Sequence, residues 1–166
     1  MKRVYLLLVC LCLLAFAVMP AQAFTAKSLT VTLAPNGDAR INMQYDLSFL
    51  EQSAVFFRMA DPAAEVKKAF DSNTNRPVTV NSVTSSSADI VVPSFAGVTR
   101  INGAMTMTSP SISFARAQEI LKNYWFAPLI SADFAPQVTT VAFPDGYQAT
   151  FNNAITIPSV THTLSV

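Results

Sequence analysis

The sequence predicts an α+β domain, a mainly antiparallel β-sheet with two or three helices packed on one face. Three observations carry that expectation. Several segments alternate apolar and polar residues, Gly- and Pro-containing turn sequences separate them, and two stretches space their apolar residues at helical intervals.

The chain opens with Lys2 and Arg3, an apolar run from Val4 to Val18, and the exit Met19-Pro20-Ala21-Gln22-Ala23. Charge, apolar run and small residues two apart are the order that a cleavable secretory signal peptide follows, so residues 1–23 read as signal and 24–166 as one exported domain. A membrane-spanning helix needs roughly 20 apolar residues. The run here is shorter and ends at a cleavage exit, so no span is expected after cleavage. Val9 and Leu11 precede the two cysteines where a lipidated cysteine needs a small residue. Cys10 and Cys12 therefore leave with the signal, and the mature chain has no thiol for disulfides, metal sites or nucleophilic catalysis.

Ser28 to Leu33 and Ala39 to Leu47 each alternate, and Pro35-Asn36-Gly37-Asp38 between them supplies a hairpin turn. The spacing predicts a helix over Phe49 to Ala60. Asp61-Pro62 caps and starts another, with Ala63, Val66 and Phe70 facing inward. Strands follow at Pro77 to Thr84, Ala88 to Val92 and Val98 to Thr108. Ser113 to Tyr124 is expected to be helical, with Ser113 as its cap. Val138 to Phe143 and Tyr147 to Phe151 pair around Pro144-Asp145-Gly146, and a last strand from Ile155 to Leu164 breaks at Pro158. The likeness of the two Pro-containing turns reads as shared hairpin chemistry and not as an internal repeat.

Two of the 11 basic residues lie in the signal and all 10 acids lie after it, so the exported part carries a net charge of −1. Without a basic cluster, neither nucleic acid nor an anionic membrane surface is an expected partner. Charged residues make up 13% of the chain, about half the usual 25%. Ser, Thr, Asn and Gln supply the polarity instead, a composition suited to surfaces that contact other molecules.

His162 is the single histidine, and it lies near the C-terminus. No Gly-x-Ser-x-Gly elbow accompanies it, and the four glycines never cluster into a phosphate loop. Among the acids only Asp89 and Asp133 lack an obvious local role and no pair stands out; an acid-dependent glycan hydrolase would need these two, or another acid pair, close together in a cleft. Met105, Met107 and His162, with Met43 and Met59, make the soft-ligand set through which an exported protein would hold copper, although alternating Met on a strand is usually core. Tyr124-Trp125-Phe126 is the candidate binding patch, able to stack on sugars or anchor a protein partner. No cofactor is expected.

Phe143-Pro-Asp-Gly-Tyr147, Ile157-Pro-Ser-Val-Thr-His162 and Ala60-Asp-Pro-Ala-Ala-Glu65 resemble segments of small uncharacterised exported proteins of methanogenic archaea. The resemblance implies an envelope or extracellular location and no known activity. The leading expectation is a non-enzymatic exported module that works by contact with a protein or surface partner, ahead of a sugar- or copper-binding protein and of a glycan hydrolase.

Overall fold

The computed structural model describes residues 22–47, 78–122 and 131–165. Among them are twelve strands: β1 Gln22–Leu33, β2 Ala39–Leu47, β3 Thr79–Val83, β4 Ser87–Val92, β5 Gly97–Ile101, β6 Ala104–Thr108, β7 Ile112–Ser113, β8 Ser131–Asp133, β9 Val138–Ala142, β10 Gln148–Asn152, β11 Thr156–Ile157 and β12 Thr161–Thr163. One helix, α1 Ala115–Lys122, has eight residues.

The fold is therefore a β-sheet fold, and the α+β expectation is corrected. Among the described residues, the layer that covers the inner face of the main sheet is a second sheet. Ser113 explains why the helix starts later than expected: its backbone pairs with Thr156 in the β7–β11 ladder, while its Oγ accepts the Ala115 N–H. The helices expected over 49–60 and from Asp61 onward lie outside the described residues.

The main sheet has seven strands in the order β10-β9-β1-β2-β4-β3, with β8 also paired to β1. β1 runs parallel to β8 and β9, and its other neighbour β2 is antiparallel. A register shift between Ala26 and Ser28 resets the alternation of β1. Without it Lys27 would share the inward parity of Leu29, Val31 and Leu33. With it, Ala26 is buried and the Lys27 ammonium meets Asp46 at 2.9 Å. Phe24 packs its ring on Tyr45 and Phe134, with centroids 5.5 and 5.1 Å away. Gln22 and Ala23 already belong to β1, so the strand crosses the expected cleavage point.

The second layer is the antiparallel sheet β12-β6-β5. Its inward Met107 is fully buried in one cluster with Leu29, Val31, Leu33, Ile41, Ile90, Val92 and Val141 of the main sheet. Val98, Met105, Val160 and Leu164 close the rim of that cluster. On its outward side Thr106 pairs with Thr163 and Thr108 with Thr161 through hydroxyls at 2.9 and 3.0 Å.

Both Pro-containing hairpins use one turn. Gly37 N–H donates to Ala34 C=O and Ala34 N–H to Asp38 C=O, and the same pattern joins Gly146, Phe143 and Tyr147. Pro35 and Pro144 stand second in a type I turn, and the glycine follows at positive φ, +87° and +89°. The side chain before each glycine accepts an N–H two residues on, Asn36 from Asp38 and Asp145 from Tyr147. Facing parity separates the two hairpins: Leu33, just before its turn, is buried, whereas in the second hairpin the first turn residue, Phe143, is buried.

The segment expected as one strand over Val98 to Thr108 is a hairpin. Asn102 and Gly103 both take positive φ, +51° and +85°, which reverses the chain between Ile101 and Ala104. β8, at 131–133, is a strand beyond those expected from the sequence.

Candidate functional site

The outer face of the main sheet follows from the same alternation that builds the core. Three registered rows cross it, mostly polar and interrupted by Ala142, Val91 and Val138. The first runs Thr150, Thr140, Thr30, Asn42, Asp89, Ser82; the second Gln148, Ala142, Thr32, Arg40, Val91, Thr79; the third Asn152, Val138, Ser28, Gln44, Ser87. Hydroxyl and amide groups both donate and accept, so such a face offers hydrogen bonds of either sense.

The two charges in these rows cancel. Arg40 donates to Asp89 from Nε at 3.2 and 3.0 Å and from Nη2 at 2.6 Å, a two-pronged contact. The Asn81 amide adds a bond at 2.9 Å, and Arg40 followed by Asn81 holds the Asp89 carboxyl below its ordinary value. At the end of the third row, Gln44 and Ser87 join Lys27, Tyr45, Asp46 and Ser86 in lining an open depression of about 360 Å³. Tyr45 O–H donates to Thr84 C=O at 2.7 Å, and burial raises its phenol pKa.

A second cluster sits at the β9–β10 turn. Asp145 Oδ2 accepts from His162 Nε2 at 2.8 Å and from the Ser165 N–H at 2.9 Å. A carboxylate only accepts, so the imidazole proton on this side is on Nε2. The Ser165 N–H, then His162 and the Tyr147 N–H, hold the Asp145 carboxyl well below the usual carboxylate range. The His162 ring stacks on Tyr147 at 4.1 Å and meets Phe143 edge-on at 5.2 Å. Chemically this is a clasp: one turn carboxylate binds both the imidazole and the main chain of the C-terminal segment.

The sequence candidates fall out as follows. Tyr124, Trp125 and Phe126 lie outside the described residues. Met107 and His162 are direct partners across β6 and β12, and Met105 shares their face. Met107, however, is fully buried among apolar side chains, and His162 Nε2 is held by Asp145. Among the described residues no group of three or more His, Cys, Asp or Glu could hold a metal ion.

Asp89 and Asp133 both have local partners after all, since Asp133 Oδ1 accepts the Ala135 N–H. By register, Asp133 stands opposite Thr25 and Asp89 opposite Asn42, three strands apart and several residues offset. Strand spacing and rise put them roughly 20 Å apart, beyond the separation that two glycosidase carboxylates use.

From the sequence Asp145 is a turn residue and His162 an ordinary strand or tail residue, and His162 does lie in a strand, β12. No local signal joins two residues that meet through a fold contact. The outward parity of Thr30, Thr140 and Thr150 was legible strand by strand, but their alignment into one row depends on pairing between distant segments. No family model, no curated protein and no solved structure matches the chain.

Proposed function

We propose that this protein is an exported, non-enzymatic module that acts by contact with a protein or surface partner in the cell envelope or extracellular space. The observation that supports it best is the outer face of the main sheet, where registered rows rich in Ser, Thr and Asn surround one cancelled ion pair. A face selected for solubility alone is dressed with Lys and Glu. Short polar side chains lose less rotamer freedom when a partner immobilises them, and they present hydrogen-bonding groups without a desolvated charge. The amino-terminal signal pattern supports the location.

The test is co-sedimentation of the purified protein with envelope material from the producing cell. Saturable binding is expected, and the double variant Thr30→Glu with Thr140→Glu, which puts two like charges side by side in the central row, should lose most of it while keeping its circular dichroism. No binding by the wild type, or equal binding by the variant, would overturn the reading. The secreted form should begin at Phe24 on N-terminal sequencing; retention of residues 1–23 would contradict export by cleavage.

A further inference from the structure

The main sheet ends on one side at β10, and the pairing pattern shows which of its main-chain groups are unused. Phe143 and Tyr147 exchange the hydrogen bond that closes the turn, and Asn153 N–H donates to Gln137 C=O beyond the strand. Hydrogen-bonded pairs alternate in an antiparallel ladder, so Ala149 and Phe151 aim their N–H and C=O groups at β9. Gln148, Thr150 and Asn152 therefore aim theirs away from the sheet, and all three residues are exposed. No strand among the described residues pairs with that side.

Sheet edges are normally guarded by charge, proline, bulges or short length. β3, at the opposite edge, carries a register shift between Val80 and Ser82. β5 carries Arg100, and β12 has three residues. β10, Gln-Ala-Thr-Phe-Asn, has five residues with no charge, no proline and no register shift.

We infer that the β10 edge is a self-association site, at which a second copy of this chain adds its own β10 antiparallel about a two-fold axis through Thr150. The inference rests on the contact reading above and names the partner. The argument for a second copy is the self-complementarity of the strand. With Thr150 opposite its symmetry mate, Gln148 faces Asn152 of the other copy and Phe151 faces Ala149.

The amide side chains on the outer face then pair with each other, a large residue meets a small one on the inner face, and no like charges come together. Thr150, Gln148 and Asn152 of both copies supply about six main-chain hydrogen bonds. The central row continues through the axis, from Thr30 and Thr140 to Thr150 and on into the partner's equivalents. Such an interface is isologous and closes on itself, which stops at a dimer instead of a fibre.

Sedimentation velocity over a concentration series tests this, with hydrogen exchange as the local readout. The apparent mass should double with concentration. The Gln148, Thr150 and Asn152 amides should slow as the dimer forms, while the Ala149 and Phe151 amides, already bonded to β9, stay slow at every concentration. Thr150→Pro removes an outward N–H, leaves the β9 ladder intact, and should abolish the dimer.

Thr150→Lys and Thr150→Glu, exposed changes that preserve the fold, should each weaken self-association roughly two- to fivefold, and an equimolar mixture of the two should restore it. A wild type that keeps single-chain mass at all concentrations, or a dimer indifferent to the Lys, Glu and Pro changes, would overturn the inference. A monomer that still binds envelope material would overturn the self-association edge alone. A dimer that binds none would overturn the contact reading alone.

Discussion

Thr139 is fully buried between Leu29 of β1 and Phe151 of β10, and its Oγ1 reaches no hydrogen-bond partner among the described residues. A buried hydroxyl without a partner loses its hydration and gains nothing in return. Thr139→Val keeps the shape and removes that group, so unfolding stability should hold or rise by about 1 kcal/mol in a denaturant titration. A loss of stability would mean that the hydroxyl is satisfied in solution.

Asp145 acts in the opposite sense, as a satisfied carboxylate. Its folded-state pKa is depressed, so its contribution is present above the unfolded carboxylate range near pH 4 and fades as the pH falls below that range. Asp145→Asn should lower stability at pH 7 and flatten the acid limb of the stability curve measured between about pH 5 and pH 2. Parallel acid limbs for the two proteins would remove Asp145 as a source of acid sensitivity. From sequence Asp145 was legible as a turn former, and that role is observed. The clasp to His162 and Ser165 was not, because it needs β12 to come back beside the β9–β10 turn.

At the scale of elements, the two Pro-containing hairpins show how equal local chemistry meets unequal surroundings. Gly37 and Gly146 have nearly equal φ, so a side chain at either is strained by about 1–2 kcal/mol. A Cβ on Gly146 meets open space, whereas one on Gly37 would lie 2.6 Å from the Ala96 carbonyl oxygen. Gly37 also accepts the Ala96 N–H, and Asp38 Oδ1 accepts the Ser94 N–H, so this turn is docked against the β4–β5 connection. Gly37→Ala should therefore lower the melting temperature clearly more than Gly146→Ala. Equal losses would show that backbone strain alone matters and that the docking yields freely.

The turn residues themselves were readable, and Asn102-Gly103 carries the same signal as Asn36-Gly37. It lies inside the Val98 to Thr108 run and divides it into β5 and β6. The shift at Lys27 had no sequence mark beyond a charged residue at an inward parity.

Across the whole molecule, Met107 joins the layers: it belongs to the smaller sheet and is fully buried against residues of the larger one. Met107→Ala should cost about 2–5 kcal/mol, whereas Met107→Leu, which conserves volume, should cost less than about 1.5 kcal/mol. The pair also separates packing from metal binding. If the thioether served copper, Met107→Leu would remove a copper-dependent rise in melting temperature while leaving the metal-free protein stable.

Alternation determined which side of each strand is apolar, and turn chemistry determined where the chain reverses, because both depend on neighbours within a few residues. That is why the β1–β2 and β9–β10 hairpins were legible. The order of strands was not: β1 lies parallel to β9, more than a hundred residues later, and nothing local distinguishes that partner from others. The helical stripes are expected to supply the covering layer, whereas among the described residues the cover of the main sheet is β12-β6-β5. A buried strand and a buried helix turn offer the same apolar residues, and only long-range packing chooses between them. The threonine row, the Asp145 clasp and the unguarded β10 edge share that origin. Each joins residues that are distant in sequence, and the tertiary structure alone decided that they meet.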